Sequence, residues 1–166
     1  MTDPVSALIQ RHQSRGILVD SNILLLFFMG GFDRELIPRF KRTQQFVPED
    51  YDLLTRLLSR FSSVITTPNI LSEVNSLSGQ LGEPVKTQYF DVFAQGISVL
   101  DERYVASSDV AQLDQFPKLG LTDTGILHLA RNEYLVLTDD FRLAQHLAEA
   151  GIAVLNFNQL RPRGWT

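Results

Sequence analysis

The stretch Gly16-Ile17-Leu18-Val19-Asp20-Ser21-Asn22 leads directly into Ile23-Leu24-Leu25-Leu26-Phe27-Phe28. Three consecutive branched aliphatics predict a short strand buried on both faces, the pattern of a parallel sheet. A carboxylate, a hydroxyl and an amide follow, and then a second apolar run that predicts a helix. Open α/β sheets bind their ligands beyond the carboxyl ends of their strands. An acid directly after Ile-Leu-Val has little structural reason to be there, so Asp20 is the leading candidate for function.

Working outward, the chain alternates strands and helices. A short helix is expected within residues 2–14, with Val5, Leu8 and Ile9 on one side and Pro4 in its first turn. The first strand is expected at 16–20, and its following helix is expected to stop at Gly30-Gly31. Between Phe32 and Pro48, Arg34, Arg39, Lys41 and Arg42 stand among Phe32, Phe40 and Phe46. This predicts a short basic-faced helix and a loop closed by Pro48. Residues 49–61 carry Tyr51, Leu54, Leu57, Leu58 and Phe61 at helical spacing.

Further strands are expected at 63–67, 97–100, 134–137 and 152–155, with helices opening at Thr67-Pro68-Asn69, Pro84, Gly120 and Phe141. Residues 101–119 predict one or two short helices and a loop, and the end of the chain a polar, Arg-containing tail. Strands alternating with helices imply an α/β fold: a three-layer α/β/α sandwich around a parallel sheet of about five strands. No repeat or linker divides residues 1–166, so one domain is expected, with its core at about 16–157.

Composition narrows the function. The 166 residues include no cysteine, which excludes disulfides, thiol chemistry and Cys-based zinc sites. The longest apolar run, Ile23 to Met29, falls far short of the roughly 20 residues that span a bilayer. Residues 1–15 lack the pattern of a signal peptide. A soluble, cytoplasmic protein is expected, with no membrane partner. The formal charge of −4 reflects 19 acids against 15 Lys and Arg. Setting aside five acids as cation-bound leaves 14, so net charge is no argument against a polyanionic partner.

Those five are Asp20, Glu73, Asp123, Asp139 and Asp140. In a parallel sheet, every helix that follows a strand begins at the carboxyl edge. Asp20 and the Asp139-Asp140 pair close strands there, Glu73 lies about a turn into the helix after the second strand, and Asp123 opens the helix before the fourth. Taken singly, Asp123, Asp139 and Asp140 are also explained as helix N-terminal acids, favoured by about 0.3–1 kcal/mol, and Glu73 as part of a solvated face. As a set they cannot all ionise in one place without cations. Mg²⁺ or Mn²⁺, as one or two ions with oxygen ligands, resolves that conflict. Two such ions can clamp the attacking and leaving oxygens of a phosphodiester displacement.

Four stretches carry these acids: Ile17-Leu18-Val19-Asp20-Ser21-Asn22-Ile23-Leu24, Thr67-Pro68-Asn69-Ile70-Leu71-Ser72-Glu73-Val74, Leu121-Thr122-Asp123-Thr124-Gly125-Ile126-Leu127 and Val136-Leu137-Thr138-Asp139-Asp140-Phe141. In order and rough spacing they resemble the motifs of PIN-domain nucleases, a family that includes toxin ribonucleases. The resemblance implies an α/β/α sandwich and Mg²⁺- or Mn²⁺-dependent endonucleolytic cleavage of single-stranded or structured RNA. Asp20, Glu73 and Asp123 match the family's first three metal-binding positions. The acid after Thr138 matches the fourth; the family pattern points to Asp140, while the doublet keeps Asp139 open as a ligand. Asn22 matches a polar partner bracing Asp20 and Thr138 the hydroxyl that orients the site, while Thr122 is a further candidate to orient the ligands. The longer stretch 30–48, the acidity and the Asp doublet depart from the pattern.

The resemblance implies RNA as substrate, an antitoxin or other protein as a partner, and a homodimer as a further assembly to expect. Residues 32–46 are a candidate surface for a partner or RNA; the plainer reading is an amphipathic segment packed on its own domain. A non-catalytic PIN-like module that binds protein or RNA is one rival. A haloacid-dehalogenase-like phosphatase is another, but it needs a second acid where Asn22 stands. Arg56, Arg60, Arg142, Arg161 and Arg163 are candidate phosphate contacts, and Trp165 is expected either to pack on the domain or to stack on a base. His12, His128 and His146 lack metal-ligand spacing and are expected at the surface or an interface.

Overall fold

In the computed structural model the described residues are 3–164, with side chains described through residue 161. Trp165 and the Arg163 side chain therefore lie outside the described residues. In chain order the elements are α1 (Pro4–His12), β1 (Ile17–Val19), α2 (Ser21–Phe32), a 3₁₀ turn (Arg34–Leu36), α3 (Pro48–Leu58), β2 (Val64–Thr66), α4 (Pro68–Ser78) and α5 (Val85–Ile97). They continue with β3 (Asp101–Glu102), α6 (Ser107–Val110), α7 (Phe116–Ala130), β4 (Leu135–Thr138), α8 (Phe141–Glu149), β5 (Val154–Asn156) and α9 (Phe157–Gly164).

The five strands form one parallel sheet in the order β3-β2-β1-β4-β5. β1 sits at its centre, with Ile17, Leu18 and Val19 in register with Leu135, Val136 and Leu137 of β4. Successive strand side chains point to opposite faces, and all of Ile17–Val19 and Leu135–Thr138 are buried. Helices therefore cover both faces, giving a three-layer α/β/α sandwich. The chain leaves β1 toward β2 on one side and returns to β4 on the other, which creates a crevice at the β1/β4 carboxyl ends. No helix among the described residues is long and apolar enough to cross a membrane.

Several boundaries differ from expectation. Helix α2 runs through Gly30-Gly31 to Phe32. A Cβ on Gly30 would overlap the Tyr51 ring of α3, so this glycine serves a close helix–helix approach rather than a stop. Gly96 is likewise inside α5, against the Phe28 ring, and the third strand is displaced to Asp101–Glu102. Pro48 is the first residue of α3 instead of the end of a loop, as suits a residue lacking an N–H. The chain after β5 forms α9, in place of a tail.

Residues 32–46 turn their apolar side chains inward. Ile37, Phe40 and Phe46 are buried in the core, with Phe32 and Leu36 packed against it. Arg34 pairs with Asp52 at 2.6 Å, and Arg42 donates to Gln80. The large apolar side chains of this stretch are thus committed mainly to the protein's own core. His12 is also buried, its Nδ1 2.9 Å from the Leu8 carbonyl, unlike the exposed His128.

Candidate functional site

The carboxyl edge of the sheet opens into a cavity of about 460 Å³ lined by Asp20, Ser21, Asn22, Glu73, Leu77, residues 119–123 and Asp140. Four of the five expected acids therefore meet at one cavity. Asp139 is absent from its lining.

Asp20 is the N-cap of α2 and only 7% exposed. Its Oδ1 accepts from the Ser21 N–H, and its Oδ2 accepts from the Thr138 hydroxyl at 2.5 Å. Burial pushes its pKa up from 3.8 to about 6; the two hydrogen bonds oppose the shift, and Asp139 and Asp140 add to it. Glu73, exposed on α4, accepts from the Ser21 hydroxyl at 2.7 Å. Thr67 directs this helix by capping its Ile70 N–H with its side chain.

Asp123 reaches the cavity because α7 is broken at Gly120 (φ 77°, ψ −176°), a conformation closed to most L-residues. The break re-aims the chain so that Asp123 falls in the first turn of a new helical segment. Burial raises the Asp123 carboxyl to about 7, with Asp20, Glu73 and Asp140 adding repulsion and Arg142 relieving a little. Asp140 caps α8, its Oδ1 accepting from the N–H groups of Arg142 and Leu143 at 2.9 and 3.2 Å. Its own N–H donates to the Thr138 hydroxyl at 3.0 Å.

Asp139 turns elsewhere. Its carboxyl is raised by burial and eased by a hydrogen bond from Asn22, while its Oδ1 is buried without a partner among the described residues. Asn22 was expected to brace Asp20, but that work falls to Thr138 and Ser21. The side chain of Asn22 is hydrogen-bonded to Asp139 instead. Thr122 lines the acidic cavity and also a smaller cleft beside Tyr104. Ser21 is the participant the sequence reading missed, and its adjacency to Asp20 was the available signal; Arg142, a candidate phosphate contact, lies near enough to ease the charge on Asp123. Arg161 pairs with the fully buried Asp50 at 2.9 Å, joining α9 to α3.

Among the described residues, no three His, Asp or Glu side chains converge closely enough to hold one metal ion between them as they stand. The all-oxygen donor set is nevertheless the kind that hard divalent cations take. Comparison of the chain with models of protein families gave no match, and comparison with curated proteins gave none.

Proposed function

We propose that this protein is a metal-dependent endoribonuclease of the PIN type that hydrolyses RNA phosphodiester bonds, acting as a toxin or as an RNA-processing enzyme. The observation that carries the proposal is the meeting of Asp20, Glu73, Asp123 and Asp140, from four separate elements, at one cavity. The repulsion that Asp123 feels from the other three marks a site with more negative charge than it can hold alone. Mg²⁺ keeps several of its waters and takes one or two carboxylates directly, so a preformed triad is not a requirement.

In this reading Asp20, Glu73, Asp123 and Asp140 hold one or two Mg²⁺ or Mn²⁺ ions, with Asp139 assisting from outside the cavity lining. A bound ion supplies Lewis acidity and an activated water. The chain's own residues set the geometry. Thr138 fixes the rotamer of Asp20 and ties the Asp140 backbone to it, while Ser21 steers Glu73. Without a cation, burial and the neighbouring acids raise the Asp123 carboxyl to about 7; a bound ion would favour its ionised form.

The separation of the acids also supports a second reading, a module that binds RNA or protein without cutting. One experiment distinguishes the two: single-stranded RNA is incubated with the protein in Mn²⁺ or EDTA, beside Asp20→Asn, with Mn²⁺ binding followed by calorimetry. The nuclease reading expects Mn²⁺-dependent cleavage, and a loss in Asp20→Asn beyond the roughly 10–100-fold that an outer-shell partner costs. Absence of both cleavage and Mn²⁺ binding in the wild type would leave the binding module as the function.

A further inference from the structure

Three large apolar side chains among the described residues stand out in solvent: Val99, Tyr104 and Phe141. Two of the three flank the acidic cavity. Phe141, 71% exposed, directly follows Asp140 and opens α8. Tyr104, 80% exposed, lies two residues beyond β3. It lines a cleft with Thr67, Asn69, Thr122 and Gly125, and Thr122 is shared with the acidic cavity. Neither ring belongs to the core.

Resting on the nuclease reading, we propose that Tyr104 and Phe141 are stacking platforms for unpaired bases on opposite sides of the cleaved bond, so that the substrate is single-stranded RNA. Sheet order supplies the arrangement. β1, which ends at Asp20, lies between β3, which leads to Tyr104, and β4, which leads to Phe141. An RNA strand held by both rings would therefore pass the acids between them. Every base has a π-face, so stacking of this kind needs bases free of pairing and tolerates any sequence. Arg142, adjacent to Phe141, donates to the Lys118 carbonyl at 3.1 Å and places a guanidinium at the same rim, where it can meet a backbone phosphate. That charge favours a polyanion over an apolar protein surface as the occupant.

The test uses the full chain with Mn²⁺, a fluorescein-labelled single-stranded RNA and the corresponding duplex. Phe141→Ala and Tyr104→Ala are each expected to raise KM by roughly 5- to 150-fold, with kcat and melting temperature near wild type. Phe141→Tyr and Tyr104→Phe are expected to restore KM. Abasic nucleotides at the stacked positions should raise the wild-type KM similarly and add nothing in the alanine variants. Cleavage with unchanged KM in both alanine variants would overturn the stacking role and leave the nuclease reading intact. An equal loss on duplex RNA would do the same. A wild type that neither binds nor cuts RNA would overturn both, and a protein partner would then be the occupant of the two rings.

Discussion

The Thr138 hydroxyl donates to Asp20 Oδ2 and accepts the Asp140 N–H, so one oxygen at the end of β4 links an acid 118 residues away to an acid two residues on. The register of β1 against β4 makes the link possible, since Val19 stands opposite Leu137 and each strand then ends at the same height. The hydroxyl uses its single donor and one of its two acceptor sites. Removing it exposes two groups at once.

Thr138→Val keeps the shape but leaves Asp20 without its donor and the Asp140 N–H without its acceptor. A buried group left unsatisfied costs about 1–3 kcal/mol, so urea denaturation should show a loss of that order. Thr138→Ser, which keeps the hydroxyl, should lose much less. A Thr138→Val variant as stable as the wild type would mean that the link carries no stability.

The raised carboxyls set a pH dependence. Asp20 and Asp123 bind protons more tightly in the folded chain than in the unfolded one, from an ordinary 3.8 up to about 6 and about 7. Where the folded state binds more protons, stability falls as pH rises. Their contribution is therefore fully present below about pH 4, and is lost as pH climbs through about 6 and 7. Melting temperatures in EDTA for the wild type minus Asp20→Asn or Asp123→Asn should show this decline as a difference. Saturating Mn²⁺ should raise the wild-type melting temperature most at the high-pH end, where the acids are ionised. A difference curve flat from pH 4 to 8 would contradict it.

Two ion pairs should differ sharply in value. Asp50 is fully buried and is held by Arg161 and the Val47 N–H. Asp50→Ala removes a buried charge partner of Arg161 and the acceptor of the Val47 N–H at the start of α3, an expected loss of about 3–5 kcal/mol. Arg34 and Asp52, with side chains 42% and 48% exposed, form a pair of good geometry in solvent. Arg34→Ala should cost far less, because a solvent-exposed ion pair contributes little to stability. Chemical denaturation of the two variants side by side measures the contrast.

Adjacent glycines should respond in opposite directions to alanine. Both Gly30 and Gly31 are inside α2. At Gly31 the nearest atom to a new Cβ is the Tyr51 hydroxyl at 3.6 Å, an ordinary contact. Gly31→Ala should therefore gain about 0.5–1 kcal/mol from helix propensity. At Gly30 the Cβ would overlap the Tyr51 ring, and the variant should lose about 1–3 kcal/mol by overpacking. Equal melting temperatures for the two would show that α2 and α3 adjust freely.

The central strands were legible because burial on both faces writes an unbroken aliphatic run into the chain, as in Ile17-Leu18-Val19. The acids were legible because they follow those runs at the edge where α/β sheets gather ligands. Helix positions followed from apolar spacing, and Thr67 and Pro68 announced the start of α4. These are signals carried by neighbours in sequence, where dihedral preference and hydropathy act.

What needed the tertiary structure was the identity of distant partners. Gly30 reads as a stop and the stretch after Gly96 as a strand, since nothing nearby in sequence reveals that Tyr51 and Phe28 will press against these glycines. Asn22 stands two residues from Asp20 yet serves Asp139, and Phe40 and Phe46 are core rather than surface. Choosing between the members of the Asp139-Asp140 doublet was equally beyond the sequence, because adjacent residues leave the backbone in different directions. Strand register and the break at Gly120 bring Asp140 and Asp123 to the cavity while Asp139 faces Asn22. The sequence determined which chemical groups arrive at the sheet edge, and long-range packing decided which of them meet.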